Sequence, residues 1–464
     1  MKPISLQQVR QVVGGKALSP FPATGPDITA VCTDTRLMEP GALFIAIQGE
    51  THNGHEFLPQ AAGAGAIAAL VEEQPAVKLP NVHMIHVPST RLAMGKLARF
   101  VRQQMTAKVI CVGGSNGKTS TKNLIDSILC RRLRGSISPK SFNNDIGVPL
   151  AIFPADPNQD YLVLETGTNH HGELRVLSNM ALPDTAVITN CSAEHLEGLG
   201  DLMGVRREEA SIIEGLNPKG LLVVNGDDPQ LLEAVASYPG NRITFGFNST
   251  NDLFATEITC DYSGVDFLLN GRRKVYVPLL GRHTACNALA AITVARRLGL
   301  SEDEIVENLA QAHGPDMRLQ LVNIRGLTVL NDAYNANPAS MQAAIDTLCS
   351  LEACGRRIAI LGDMRELGES TNRFHREVGA YAAAHPLDGL ICIGEKAAFM
   401  AESAKQAGMP ADRVSHFPDT AAAIAAIPNG LSSGDVVLLK ASRAMHFEAV
   451  AQALGTRDTL RVAS

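Results

Sequence analysis

Short apolar runs rich in β-branched residues recur along this chain, and most are followed by a stretch with helical periodicity. A helix over Ser5–Val13 leads to strands near Ile28–Cys32 and Ala42–Ile47, then a helix over Leu58–Ala64 and a strand near Ala66–Val71. A helix over Thr90–Gln104 precedes the run Val109–Val112, and a helical pattern from Thr121 to Cys130 follows it. Tyr161–Leu164, Thr185–Ile188 and Leu221–Val224 read as further buried strands. From about Asn251 to Leu280 the rhythm changes to alternation, with turns at Ser263-Gly264 and Asn270-Gly271, which predicts an antiparallel patch. A helix over Thr284–Leu298 closes this series. After a break at Gly314-Pro315, strands at Leu327–Leu330, Arg357–Leu361, Gly389–Ile393 and Val436–Leu439 alternate with helices over Ala339–Leu351, Thr371–Ala384, Lys396–Gln406, Thr420–Ala426 and Phe447–Leu454. That alternation predicts a second doubly wound sheet.

Between the run at Val109 and its helix stands Gly113-Gly114-Ser115-Asn116-Gly117-Lys118-Thr119-Ser120. Glycines let backbone N–H groups turn inward, and a helix N-terminus adds positive potential, so strand, loop and helix together hold an anion. The residues Gly114 to Ser120 read as a phosphate loop for a nucleotide triphosphate. Lys118 reaches the terminal phosphates and the Thr119 hydroxyl suits Mg²⁺. The usual spacing asks for glycine where Val112 stands. The expected fold class is α/β with three domains. Residues 1–88 form a small α/β unit; 89–314 a central P-loop domain, doubly wound and mostly parallel; 315–464 a Rossmann-like α/β domain.

Polar residues fall where these strands end. Glu165 follows one strand and His195 follows another, on the edge that carries the phosphate loop, where ligands bind and a carboxylate can hold Mg²⁺. Asn143-Asn144-Asp145 breaks the pattern and cannot be core strand. Thr33-Asp34-Thr35-Arg36 reads, on residue type, as a surface turn. With 464 residues, 45% hydrophobic and 19% charged, the composition is that of a globular protein too long for one core. A net charge of −6 without a long basic stretch argues against nucleic-acid binding. Nine cysteines without a CxxC pair suggest reduced thiols and a cytoplasmic setting. No apolar run is long enough for membrane insertion.

These motifs together resemble the Mur ligases of bacterial cell-wall synthesis, over nearly the whole chain. The likeness rests on the phosphate loop, Asn143–Gly147, Glu165-Thr166-Gly167, His195-Leu196-Glu197-Gly198, Gly281-Arg282-His283 with Asn287, Asn331–Met341, Leu361–Gly368 and Lys440-Ala441-Ser442-Arg443. The run Tyr334-Asn335-Ala336-Asn337-Pro338 resembles the branch that couples D-alanyl-D-alanine to UDP-N-acetylmuramoyl-tripeptide, rather than the branch adding the third peptide residue or the folylpolyglutamate-type ligases. The resemblance implies an ATP- and Mg²⁺-dependent amide ligase, expected to act as a monomer. It implies that Asn287 contacts adenine and that Arg318 and Asp332 reach ATP from the last domain. Thr119, Glu165 and His195 would surround Mg²⁺, with Lys118, Glu165 and His195 catalytic. Thr33, Asp34, Thr35 and Arg36 would line the uridine side. Asn143 and Asn144 would serve the substrate, and Asn335 and Arg443 the acceptor.

One departure stands out. Where the family has a lysine carbamylated by CO₂, alignment from both flanks places Glu209, beside Glu208. A carbamylated lysine is a long anion and glutamate is a permanent one, shorter by roughly 3–4 Å. Either the helix sits closer, or water bridges, or a second metal is weakly held; alternatively the two glutamates form a solvated helix face. If Glu209 replaces the carbamate, Glu209→Gln lowers kcat and alters Mg²⁺ dependence, and added bicarbonate restores nothing. Steady-state assays across Mg²⁺ and bicarbonate concentrations check both.

Overall fold

The computed structural model describes residues 1–18, 25–49, 51–74 and 79–455, apart from the side chains of 428 and 429. At its centre, Lys108–Gly113 lies in a nine-stranded sheet. Tyr161–Glu165 and then Gly135–Ile137 pair with it in parallel on one side. Thr185–Ile188, Leu221–Asn225 and Asn241–Gly246 follow in parallel on the other. The chain then turns through Leu253–Asp261, Gly264–Leu269 and Arg273–Val277, the last two pairings antiparallel as the alternating pattern predicts.

The period of two explains why these strands are apolar throughout. Val109, Cys111, Leu162 and Leu164 face a core shared with helices Thr90–Gln103 and Glu173–Ala181, whereas Ile110, Val112, Tyr161 and Val163 face helices Lys118–Leu129 and His283–Arg297. Alanines at 285, 288, 290, 291 and 295 are all buried and let the last helix approach closely. Register sets the functional edge: Glu165 pairs with Val112, and Ile188 with Gly113, so three strands end side by side.

Residues 30–32, 42–45, 68–71 and 83–86 form a parallel sheet, extended by Lys16–Ala17. Its core runs without interruption into the central one, because helix Thr90–Gln103 packs Ala93, Met94, Leu97 and Val101 into the same apolar cluster as Val9, Leu43 and Leu162. The third sheet has six strands, in the order 320–324, 327–331, 436–440, 357–362, 389–393 and 414–417, all parallel except the first.

The sequence pattern missed both edge strands of this sheet. Gln320–Ile324 has no fully buried residue and Val414–Phe417 has one, so neither carries a strong apolar signal. It also missed helices Glu173–Ala181 and Glu302–Leu309, although a Ser301/Glu304 capping box marks the second. The phosphate-loop helix begins at Lys118, not Thr121, because Gly117 at φ +84° turns the chain directly into it.

Arg102 fastens the long helix to this core. Its guanidinium, nearly buried, donates to the carbonyls of Ala181 and Leu182 at 2.9 and 3.0 Å and to Asp184 at 2.8 Å. Arg102→Ala therefore strands two carbonyls and a carboxylate that otherwise binds only the Val109 N–H. The expected loss is about 3 kcal/mol, read from the central transition in urea unfolding.

Candidate functional site

The phosphate loop is shaped by two close approaches. A Cβ on Gly114, at φ +113°, would lie 2.1 Å from the Thr189 hydroxyl, and one on Gly117 would lie 2.4 Å from the Asn287 carboxamide. Asn190 fixes the intervening turn, its carbonyl accepting from Ser115 N–H at 2.8 Å and its side chain from Asn116 N–H at 3.1 Å. No side chain caps the helix that starts at Lys118, so its N-terminus remains open to an anion.

Lys118 folds back onto the carbonyls of Gly114 and Ser115, with Glu194 at 3.8 Å. Burial works against its charge, but Glu194, Glu209 and Glu165 outweigh that and hold it protonated, above the usual lysine range. Glu165 is 1% exposed and receives hydrogen bonds from Asn143 at 3.1 Å and from the Lys122 ammonium at 3.2 Å.

The glutamate pair is no solvated face. Glu208 is 3% exposed and Glu209 1%. Neighbours on one helix point about 100° apart, and the two carboxylates serve different partners. Glu208 accepts from Gly172 and Leu174 N–H at 2.7 and 2.8 Å, which secures the start of helix Glu173–Ala181. Glu209 accepts from Gly114 N–H at 2.6 Å, inside the phosphate loop. The helix thus sits close enough for the shorter side chain to reach. Burial, with Glu194 and Glu208 nearby, pushes Glu209 up to about 7 against the opposing pull of Lys118 and Gly114 N–H.

The expected metal set is not gathered into one cluster. Among the described residues no group of three or more His, Cys, Asp or Glu is placed to hold an ion. Three of its four members have a protein partner instead: Glu165 holds Lys122, Glu209 holds Gly114 N–H, and His195 holds Glu366. One donor is free of such a partner. The Thr119 hydroxyl is buried without a hydrogen bond, and with the Glu165 carboxylate on the same sheet edge this oxygen set suits a hard cation such as Mg²⁺.

The six-stranded sheet faces the loop across a cavity of about 650 Å³ lined by Lys118, Ser120, Asn143, Glu165, Asn287, Arg318 and Asp332. Arg318 stacks on Tyr334 at 4.4 Å, and the Tyr334 hydroxyl meets Ser141. Asp332 pairs with the buried Lys440 at 2.6 Å, and that ammonium also donates to the Asn335 carbonyl at 3.0 Å. Asn337 bonds Asn116 of the phosphate loop at 2.9 Å while capping helix Pro338–Ser350. A second cavity of about 930 Å³, lined by Arg365, Lys396, Arg443 and His446 among others, meets the first at Glu194, His195 and Asn335–Asn337.

Not every expected residue arrives here. Thr33, Asp34, Thr35 and Arg36 line neither cavity; Asp34 caps its own turn and pairs with Arg36 at 2.6 Å. Asn144 also stays outside, its carboxamide accepting from Gly147 and Ile146 N–H. Residue-by-residue reading missed Lys122, Glu194, Glu366 and Asn337, whose partners lie far away in the chain.

A phosphate loop facing a second α/β sheet across a shared cleft defines a multidomain protein of the phosphate-loop nucleotide-binding class. Family models agree in detail: Mur ligase family, catalytic domain, matches residues 27–102; Mur ligase middle domain 112–295; Mur ligase, glutamate ligase domain, 317–443. The chain belongs to the Mur ligase family. It is 37% identical to the UDP-N-acetylmuramoyl-tripeptide--D-alanyl-D-alanine ligase of Bacillus subtilis, over 92% of this chain and 93% of that one. It superposes on a crystal structure of MurF from Acinetobacter baumannii with a TM-score of 0.89 at 32% identity, over 98% and 99% of the two chains. MurF from Thermotoga maritima in complex with ADP superposes at 0.82 with 26% identity, over 92% and 97%.

His195 carries the pH dependence of the contact between the two sheets. Burial alone would lower its pKa, but the Glu366 hydrogen bond and the charges of Glu194 and Glu366 raise it overall, with Lys118 opposing. The contact is at full strength between the ordinary carboxylate value, which Glu366 titrates below, and the ordinary histidine value, and it is lost as pH rises through the elevated value of His195. Glu366→Gln is expected to lower the His195 pKa and weaken the contact at neutral pH. NMR titration of the His195 ring checks the shift.

Proposed function

We propose that this protein is an ATP-dependent amide ligase joining D-alanyl-D-alanine to UDP-N-acetylmuramoyl-tripeptide, the step that completes the pentapeptide precursor of peptidoglycan. The observation that carries the reading is the meeting of two cavities at Glu194, His195 and Asn335–Asn337, one beginning at the phosphate loop and the other lined by charged residues of both signs, Arg365, Lys396 and Arg443 with Asp363, Glu366 and Glu395. Such a junction suits a reaction in which a phosphoryl group and then an amine reach the same carboxyl. Support comes from the similarity to the B. subtilis enzyme over nearly the whole chain. We divide the protein into residues 1–88 for the UDP end, 89–314 for ATP and 315–464 for the dipeptide; 456–464 lie outside the described residues. We place the reaction in the cytoplasm.

A carboxylate is a poor acyl donor because its leaving group is oxide. In the proposed reaction a carboxylate oxygen of the tripeptide attacks the γ-phosphorus of ATP, ADP leaves, and the acyl phosphate supplies a better leaving group. Lys118 and the loop N–H groups hold the transferring charge. Thr119 and Glu165 would hold Mg²⁺, with Glu209, only partly ionised near neutral pH, as a further oxygen donor; when bound, the ion neutralises phosphate charge. Asn287 and Arg318 would flank the nucleotide. The amine of D-alanyl-D-alanine then attacks the acyl carbon, the carbon–oxygen bond to phosphate breaks, and amide and inorganic phosphate result. The amine must be neutral, so a base removes its proton; His195 fills that role only when itself deprotonated, which its raised pKa moves to higher pH. Asn335 and Arg443 line the cavity assigned to the dipeptide. Closure of the two sheets keeps water from the acyl phosphate.

The test is phosphate release from ATP with each substrate alone and with both, with the mass of the product. Release requiring both, and a product heavier by one dipeptide less water, supports the reading. ATP binding without turnover in the presence of both substrates and Mg²⁺ overturns it in favour of a regulatory nucleotide-binding protein. Lys118→Ala is expected to lower kcat by roughly 10³-fold.

A further inference from the structure

Lys122 lies one helical turn beyond Lys118, and its side chain is 1% exposed. Its ammonium carries three donors, and all three find acceptors: the Ser138 carbonyl at 2.9 Å, the Lys140 carbonyl, and Oε2 of Glu165 at 3.2 Å. The other oxygen of Glu165 accepts from Asn143 at 3.1 Å, and its backbone N–H donates to the Ser138 hydroxyl at 2.9 Å. Lys140 stands at φ +46°, in the left-handed region that a non-glycine residue enters at a cost.

A buried lysine is an expensive way to fill space, since an apolar residue of like volume is often as stable or more so. Here the charge has a specific consequence. It fixes one oxygen of Glu165 while Asn143 fixes the other, so the carboxylate has one orientation. It also ties residues 138–143 to the phosphate-loop helix, and within that segment Ser141 meets Tyr334 of the opposite sheet.

We propose that Lys122 is a positioning residue that orients Glu165 toward the metal–triphosphate and couples the phosphate-loop helix to the segment contacting the last sheet. The proposal rests on the reading of Glu165 as a carboxylate that serves the nucleotide's divalent cation. Partners that orient a metal-binding carboxylate affect metal affinity strongly while touching neither metal nor substrate.

The experiment uses the full-length protein and Lys122→Met, Lys122→Gln and Lys122→Arg. Calorimetry measures affinity for a non-hydrolysable ATP analogue in EDTA and across a Mg²⁺ series, alongside Tm. Lys122→Met and Lys122→Gln are expected to keep the wild-type affinity in EDTA but need roughly 10- to 100-fold more Mg²⁺ for half-maximal enhancement. Lys122→Arg, which keeps the charge, recovers part of that response. A wild-type Mg²⁺ response in Lys122→Gln, with only a lower Tm, overturns the proposal, as does an equal loss of affinity in EDTA. Should Lys122→Met fail to fold, Lys122→Gln decides, because it is neutral yet keeps two N–H donors on a side chain one bond shorter. Failure of the ligase reading itself is separately visible, as wild-type protein that does not release phosphate with both substrates.

Discussion

The architecture of the site depends on a balance of charge around one part-buried ammonium. Lys118 is held protonated by Glu194, Glu209 and Glu165, and Lys122 adds a second cation against Glu165. Two ammonium groups thus stand among three carboxylates. Burial, reinforced by the neighbouring carboxylates Glu194 and Glu208, raises Glu209 to about 7. Arg318, Asn337 and His195 approach the same space from loops and strand ends, and each is directed by a partner from another element. A triphosphate entering with a divalent cation would replace internal pairings with stronger ones, because its oxygens match both the loop N–H groups and Lys118.

That balance can exist only where strands end together. Parallel pairing with aligned register brings Gly113, Glu165 and Ile188 to one edge, and the apolar alternation beneath them makes any slip of register costly. The central sheet is therefore the rigid member. The opposite sheet meets it through polar contacts, Asn116 with Asn337, Ser141 with Tyr334 and His195 with Glu366, and through Leu280, which packs into that sheet's apolar cluster. The polar contacts are directional and readily exchanged with water. The first sheet differs, sharing a continuous apolar core with the central one through helix Thr90–Gln103.

Much of this was legible in the chain. Apolar runs with a period of two, glycines at 114 and 117, and the Gly-Lys-Thr turn are local signals, and local sterics decide them. The antiparallel patch followed from alternation and two turns. Edge strands escaped because exposure removes their pattern, and the Glu208–Glu209 pair was ambiguous because a charged helix segment reads alike whether solvated or buried.

By itself, then, the sequence determined three α/β units, a phosphate loop, and the strand-end residues Glu165 and His195, since backbone propensity and hydrophobic periodicity act over a few residues at a time. Only the tertiary structure decided what those residues do with one another. It sent Glu208 to a helix start and Glu209 to the Gly114 N–H, and gave Glu165 to Lys122 and Asn143. It also left Asn144 and Thr33–Arg36 outside the cleft. The pairings of Glu165, Glu208 and Glu209 rest on which groups meet across 22 to 95 positions of chain, and on burial that changes the strength of each charge. Neither quantity is encoded in any short stretch of residues.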